Sequence, residues 1–367
     1  MRLTHLLRRK LELDAFVRDW LRDNHIRFLL IANVAILVVA ALASQGRFLD
    51  PYNFQSMARQ LPELGLLAMG VMLAMISGGG GIDLSVVSIA NLAAVGAGIA
   101  AGSLFGAEQG WAFTVAFVVI ALLIGLACGL VNGLLIARAG FAPILATLGT
   151  QLLFTGLAVA LSGGPAVRIG YILPFANIGT GSLWRVPISF IIFLLAVVII
   201  AWILTRTPFG LRLYLMGSNA KAAYYTGISN ARVLTTTYVT SALLAAIAGI
   251  IFASGASSAK WDYGSSYLLI AILIAVMGGI NPDGGYGKMM GLVLSAIALQ
   301  LLSSGLNLAS GSAFFRALNL SDINFLREFL WGLLLLLSLI FTSGQFQFFN
   351  LRPRGPTPEV KGGAPTK

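Results

Sequence analysis

Ten apolar runs follow one another along this chain, and no block of sequence between them is large enough to fold as a soluble domain. A helix needs about 20 residues to cross the hydrocarbon core of a bilayer, with a range near 17–25. On that scale the runs predict spans at 28–44, 61–77, 84–104, 111–137, 144–162, 187–205, 233–254, 267–280, 288–308 and 328–343. Composition agrees. Hydrophobic residues make up 58% of the 367 and charged residues 10%, whereas soluble domains run near 45–50% and 25%. A soluble fold of this length could not hide so much apolar surface, because surface still grows with mass. The chain therefore reads as an all-α polytopic membrane protein with one membrane domain of about ten transmembrane helices. Its 42 glycines suit close helix packing in lipid.

The charges test this count. With the N-terminus in the cytoplasm, the inner segments are 1–27, 78–83, 138–143, 206–232, 281–287 and the tail from 344. The inner side then holds 17 of the 24 Lys/Arg and the outer side 7, while the acidic residues divide 7 to 6. A basic excess confined to one face is what the positive-inside rule demands. Nine or eleven spans would place Arg352, Arg354 and Lys361 outside, so ten spans and two cytoplasmic termini are expected. The net charge of +11 thus reflects topology, and no nucleic-acid partner is implied.

The division is a basic N-terminal segment 1–27, a membrane domain 28–343 and a disordered cytoplasmic tail 344–367. In the first segment Leu6, Leu7, Leu13, Phe16, Val17, Trp20 and Leu21 fall at helical spacing. Two readings fit: an amphipathic helix on the inner membrane face, or a solvated helix. Ala41-Leu42-Ala43 resembles a signal-peptidase site, but the long basic segment and the spans that follow predict an uncleaved first helix. Cys128, the only cysteine, lies in an apolar run and has no partner for an internal disulfide.

Several chemistries are missing. There is no Gly-x-x-x-x-Gly-Lys-[Ser/Thr] to cradle a nucleotide. The two histidines, His5 and His25, both precede the first expected span, which argues against an intramembrane Ser–His or metal hydrolase. No span carries an arginine series of the voltage-sensor kind. Few carboxylates lie within spans, so a proton relay would rest on Asp83 with little help. The spans look like a pathway without an engine of its own.

Two expected spans are short and end in glycine. Leu61–Ile76 stops at Gly78-Gly79-Gly80-Gly81, and Tyr267–Met277 stops at Gly278-Gly279. Each glycine costs a helix about 1 kcal/mol relative to alanine, and broken backbone at membrane depth survives only where protein or a watery cavity satisfies it. Paired interruptions of this kind point to a translocation pathway. An aspartate follows each. Asp83 either caps the next helix or lies within the membrane; Asp283, set among Pro282, Gly284 and Gly285, suits a plain turn. The longest inner loop, 206–232, contains a capping Ser218 or Asn219 and a stop at Gly227. Between them a short helix would present Ala222, Ala223 and Tyr225 as contact points for a cytoplasmic partner; a simple connecting loop is the plainer reading.

At these residues the chain resembles the permeases of ribose-type bacterial ATP-binding-cassette sugar importers, over nearly all of 60–345. Gly81-Ile82-Asp83-Leu84-Ser85 is similar to that family's Gly-Ile-Asp-Leu-Ser segment, with Val86-Val87-Ser88 where Val-Gly-Ser is usual. Gly129-Leu130-Val131-Asn132-Gly133 is similar to its Gly-x-x-Asn-Gly segment, followed by Pro143 and Thr147-Leu148-Gly149-Thr150. Gly163-Gly164-Pro165, Thr207-Pro208-Phe209-Gly210, Gly217-Ser218-Asn219 to Gly227-Ile228, and Gly278-Gly279 come in the same order. Asn281-Pro282-Asp283 and the stretch 306–324 depart from the pattern. The resemblance implies a type II-like importer permease fold in the bacterial inner membrane, translocating a small neutral solute such as a monosaccharide by alternating access. It implies ATPase coupling through Gly217, Ser218, Asn219, Ala222, Ala223, Gly227 and Ile228. It implies a pathway near Gly79, Gly81, Asp83, Ser85, Asn132, Thr147, Thr150, Gly278 and Gly279. The implied partners are ATP-binding-cassette ATPase subunits, a periplasmic solute-binding protein, and a second permease copy or paralogue; ATP would bind the partner, and no cofactor this chain. A stand-alone secondary carrier or channel, and a membrane enzyme such as a lipid-modifying transferase, are the rival classes.

Overall fold

A computed structural model describes residues 23–105, 109–309 and 323–342. The expected N-terminal helix of 1–27, apart from its last residues, the tail 344–367 and most of the divergent stretch 306–324 lie outside the described residues. Among the described residues thirteen α-helices follow in order: α1 Asn24–Ala43, α2 Pro51–Ile76, α3 Val86–Leu104, α4 Gly110–Ala137, α5 Pro143–Ser162, α6 Leu173–Thr180, α7 Ile188–Arg206, α8 Pro208–Ser218, α9 Ala220–Tyr225, α10 Asn230–Ala256, α11 Tyr267–Met277, α12 Met289–Ala309 and α13 Ile323–Thr342. Each of the ten expected spans falls on one of these helices. Among the described residues, eight (α1–α5, α7, α10 and α12) are long and apolar enough to cross a membrane.

The departures have physical causes. Helix α2 starts ten residues before the expected 61, because Asp50 accepts the Tyr52 N–H at 2.8 Å and Pro51 occupies the first turn. It then runs through Pro62, whose missing N–H is tolerated within the long helix. Helix α11 stops at Met277, short of the expected 280. At 1.5 Å per residue its eleven residues reach only about 16 Å, half the hydrocarbon thickness.

Helices α2 and α10 form the axis. Every residue of α2 from Gly65 to Ile76 is buried, and α10 packs against α2, α3, α4 and α6. The α4–α10 contact is close because glycines recur every fourth residue on α4. A Cβ on Gly125 would fall 2.7 Å from Ala246 Cβ, one on Gly129 2.7 Å from Val239 Cα, and one on Gly133 2.8 Å from Thr235 Cα. Small residues at that spacing let two backbones approach in lipid, where no hydrophobic force drives helices together. By contrast α1, α4, α5 and α7 turn large apolar side chains outward, among them Val115, Leu152 and Val198, a surface only a bilayer or another membrane chain would cover.

The connections sort to two ends. At one end, Asp23 pairs with Lys288 at 2.8 Å, the Tyr214 hydroxyl donates to the Gly287 carbonyl at 2.6 Å, and Gly78 abuts Gly217. At the other, Val167–Arg168 pairs antiparallel with Ser258–Ala259, and Trp261 Nε1 donates to the Gly164 carbonyl at 3.0 Å. Described residues from four of the segments that the charge count placed on one side, 1–27, 78–83, 206–232 and 281–287, thus meet in space.

Candidate functional site

The break after α2 explains its glycines. Gly78, Gly79 and Gly80 have φ of 78°, 64° and 72°, a left-handed run that side chains with a Cβ strongly resist. Gly81 returns to ordinary φ but is pressed so close that a Cβ would lie 2.1 Å from the Ala74 carbonyl oxygen.

Asp83, fully buried, comes next. Its Oδ1 accepts the Ser85 backbone N–H at 3.0 Å and the Ser85 hydroxyl at 2.6 Å. Its Oδ2 accepts the Ser241 hydroxyl from α10 at 2.7 Å. Ser85 Oγ in turn accepts from Asn132 Nδ2 of α4 at 2.7 Å. Thr147 Oγ of α5 lies 3.0 Å from the Ile82 carbonyl and 2.9 Å from that of Pro143, and Thr150 Oγ donates to the Thr147 carbonyl at 3.2 Å. Asp83 is interior and holds the turn into α3 through the Ser85 N–H, but the N-cap of α3 is Ser85, which makes no side-chain capping bond, so Asp83 is not the cap. Asp83 makes no ion pair among the described residues; hydrogen bonds alone satisfy it, as a buried carboxyl requires. The sequence reading missed Ser241. Nothing in the sequence marked it; only the fold sets its hydroxyl against Gly70 across the α2–α10 contact, where a Cβ on the glycine would sit 2.9 Å from Ser241 Oγ.

The break after α11 is satisfied differently. The Met277 carbonyl, orphaned by the helix end, accepts from Ser338 Oγ of α13 at 3.0 Å and lies 3.1 Å from His25 Nε2 of α1. A carbonyl can only accept, so Nε2 carries the proton. Gly278 packs on α12, where a Cβ would lie 2.8 Å from Leu292 N, and Gly279, at φ 77°, leaves room for the His25 ring. Asp283 is exposed in the expected turn, with its N–H on Asn281 Oδ1 at 3.0 Å and the Gly284 N–H on the Asn281 carbonyl at 3.0 Å.

The loop 206–232 holds two helices, not one. Thr207 caps α8, and Asn219 caps α9 through the Ala222 N–H at 3.0 Å; Gly227, at φ 83°, follows its end. Ser218, Asn219, Ala222 and Gly227 are exposed, as are Tyr224 and Tyr225, the latter at 86%. Ala223 is 4% exposed and packs into the membrane domain, so it is not the outward contact point that its spacing suggested. Every other residue of α9 is exposed, Ala222 and Tyr225 among them. Ile228 is half-buried against the same core.

Gly217 connects the three regions. A Cβ there would fall 2.0 Å from the Ile76 carbonyl oxygen and 2.6 Å from Gly285 N. One on Gly78 would lie 2.7 Å from the Gly217 carbonyl oxygen, and one on Gly284 2.2 Å from Gly78 Cα. The Gly285 N–H donates to the Ile76 carbonyl at 3.0 Å. The C-terminal end of α8, the break after α2 and the turn beyond α11 therefore meet backbone to backbone. Sequence placed all three on one face; their contact appears only in the fold.

Comparison with known proteins covers most of the chain. The family described as branched-chain amino acid transport system, permease component, matches residues 53–339. The ribose import permease protein of Bacillus subtilis (strain 168) is 38% identical over 77% of this chain and 85% of its own length. The autoinducer 2 import system permease proteins of Photorhabdus temperata and of Yersinia pseudotuberculosis (strain IP 31758) are each 34% identical, over 67% of this chain and 72% of theirs.

Proposed function

We propose that this chain, which belongs to the permease-component family of branched-chain amino acid transport systems, carries a small neutral polyol of monosaccharide size. It is a multi-pass inner-membrane permease subunit of an ATP-binding-cassette importer. The cargo reading draws on the ribose and autoinducer 2 importers among its relatives and on the scarcity of interior charge. Both termini lie in the cytoplasm, in keeping with the 17-to-7 division of Lys/Arg. ATPase subunits dock on the exposed face of α8–α9, formed by Ser218, Asn219, Ala222, Tyr225 and Gly227. A periplasmic binding protein delivers solute at the opposite end, and a second permease copy or paralogue completes the pathway.

The observation that carries this reading is the glycine junction. A push on α9 reaches Gly217 through Asn219 and passes to Gly78 and Gly285, the backbone beyond α2 and α11. Buried packing is bistable and does not deform smoothly, so displacing these two ends favours a second arrangement of the broken spans. The hydrogen bonds of Asp83, Ser85, Asn132, Thr147 and Ser241 hold α3, α4, α5 and α10 together around the first break. Gly79, Gly81, Thr150, Gly278 and Gly279 complete the moving rim of the pathway. Cysteine cross-linking tests the docking face. The native Cys128 is buried, so a Tyr225→Cys chain offers one accessible thiol. It is expected to form an ATP-sensitive cross-link to the ATPase in membranes, and a Trp184→Cys control at the other end is expected to form none. Equal cross-linking at both positions, or none at Tyr225→Cys, refutes the docking assignment.

A further inference from the structure

Beside the coupling helices lies a cavity lined by none of the residues assigned to the pathway or the glycine junction. It holds about 690 Å³ between α7, α8 and the start of α12, within the ~300–1,000 Å³ typical of small-ligand sites. Its wall changes character along the helix axis. Deep in the span it is lined by Val197 and Val293; at the end shared with the coupling helices it is lined by Arg206, Lys288, Trp202 and Tyr214. Tyr214 spends its hydroxyl proton on the Gly287 carbonyl at 2.6 Å and so presents its ring. Lys288 bridges to Asp23 at 2.8 Å, leaving its charge partly compensated. Arg206 is exposed and makes no ion pair among the described residues. Next to the cavity, α7 turns Leu195, Val198 and Ile199 outward, so the opening adjoins a surface built for hydrocarbon.

An apolar crevice with two cations and a tryptophan at its mouth matches a particular amphiphile. Trp and Tyr concentrate at the headgroup level of a membrane, and basic pockets between spans on the cytoplasmic side bind anionic headgroups. Arg also meets phosphate oxygens through paired N–H groups. We propose that this cavity holds one anionic glycerophospholipid, with an acyl chain along Val197 and Val293 and its phosphate between Arg206 and Lys288. The lipid would touch α8, the coupling helix, and α12 at once, making coupling sensitive to membrane composition. Its placement in the inner leaflet rests on the orientation proposed above; its binding does not.

The full chain, delipidated in detergent and titrated with phosphatidylglycerol or phosphatidylcholine of identical acyl chains, tests this by native mass spectrometry. Phosphatidylglycerol is expected to bind one per chain, at a concentration at least about fivefold lower than phosphatidylcholine. Arg206→Gln should abolish that preference. Arg212→Gln, an exposed cation of α8 outside the cavity, should keep it. Val293→Trp, which fills the crevice without changing charge, should lose phosphatidylglycerol while the chain stays monodisperse. Equal retention of the two lipids, an unchanged preference in Arg206→Gln, or full binding in Val293→Trp would overturn the proposal. So would displacement of the lipid by millimolar inorganic phosphate, which would mark a bare phosphate site. Binding is read in detergent, so a failure here is separate from any failure of the transport reading.

Discussion

Replacing Gly217 by alanine adds one methyl group at the most crowded point of the glycine junction. The new Cβ would sit 2.0 Å from the Ile76 carbonyl oxygen, whereas ordinary contact begins at 3.4 Å, so about 1.4 Å of separation must be found between backbone segments. No flexible side chain can yield there. Forcing the segments apart carries an overpacking cost of about 1–3 kcal/mol. It also breaks the 3.0 Å bond from the Gly285 N–H to the Ile76 carbonyl, for about 1 kcal/mol more. The total, about 2–4 kcal/mol, falls on the junction and leaves the α4–α10 packing alone. Since 1.4 kcal/mol is a factor of ten, the intact junction becomes a minor state, and uptake should fall at least about tenfold. ATPase association, assigned to the exposed face of α9 in the proposed docking, should persist. Solute uptake and ATPase co-purification, measured on the same proteoliposomes, separate the two. Gly156→Ala is the control, because nothing lies within 4 Å of its Cβ. A Gly217→Ala chain that transports at the wild-type rate refutes the idea that these backbone contacts transmit the push.

Four further outcomes follow from named contacts. Asp83→Asn keeps an oxygen for both Ser85 donors and turns its amide toward a Ser241 hydroxyl that can rotate to accept. Its unfolding in detergent should change by within about 1 kcal/mol, whereas Asp83→Ala strands three donors and should cost about 3 kcal/mol or more. Gly129→Ala should destabilise by about 1–3 kcal/mol, because its Cβ would meet Val239 Cα at 2.7 Å and the Tyr238 carbonyl oxygen at 2.9 Å; thermal unfolding checks it. Ala222→Arg should leave folding intact and weaken ATPase association, while Ala223→Arg, buried at 4% exposure, should lower the folded yield itself. His25→Ala removes a donor from the Met277 carbonyl and opens space under Gly279; a loss of about 1–3 kcal/mol in thermal unfolding is expected, since Ser338 keeps that carbonyl partly satisfied.

Much of the helical architecture was legible because apolar length is a local property. The runs at 111–137 and 144–162 needed only a residue or two of adjustment to become α4 and α5. The start of α2 was not legible. Gln55, Arg59 and Gln60 make residues 51–60 look like a loop, yet Asp50 and Pro51 start the helix there. Tetraglycine correctly marked a break, since three successive residues are left-handed. What the break touches was hidden, because contacts between Gly78, Gly217 and Gly284 join residues 67 to 206 positions apart and leave no periodicity. Ser241 was invisible for a related reason: one hydroxyl in an apolar helix acquires meaning only from the carboxyl it faces. Ala223 shows the opposite failure. A small residue on a six-residue helix can face either way, and only packing decides.

The central claim is that this permease moves solute when a separate ATPase drives it. Solute accumulation in proteoliposomes, with internal ATP and with the ATPase and binding protein present or withheld, tests that claim most directly. The account predicts accumulation against a gradient only when ATP and both partners are present, and none from the permease alone. Uptake by the permease alone, at a rate unchanged by adding ATP and the partners, would contradict it and identify a stand-alone carrier or channel.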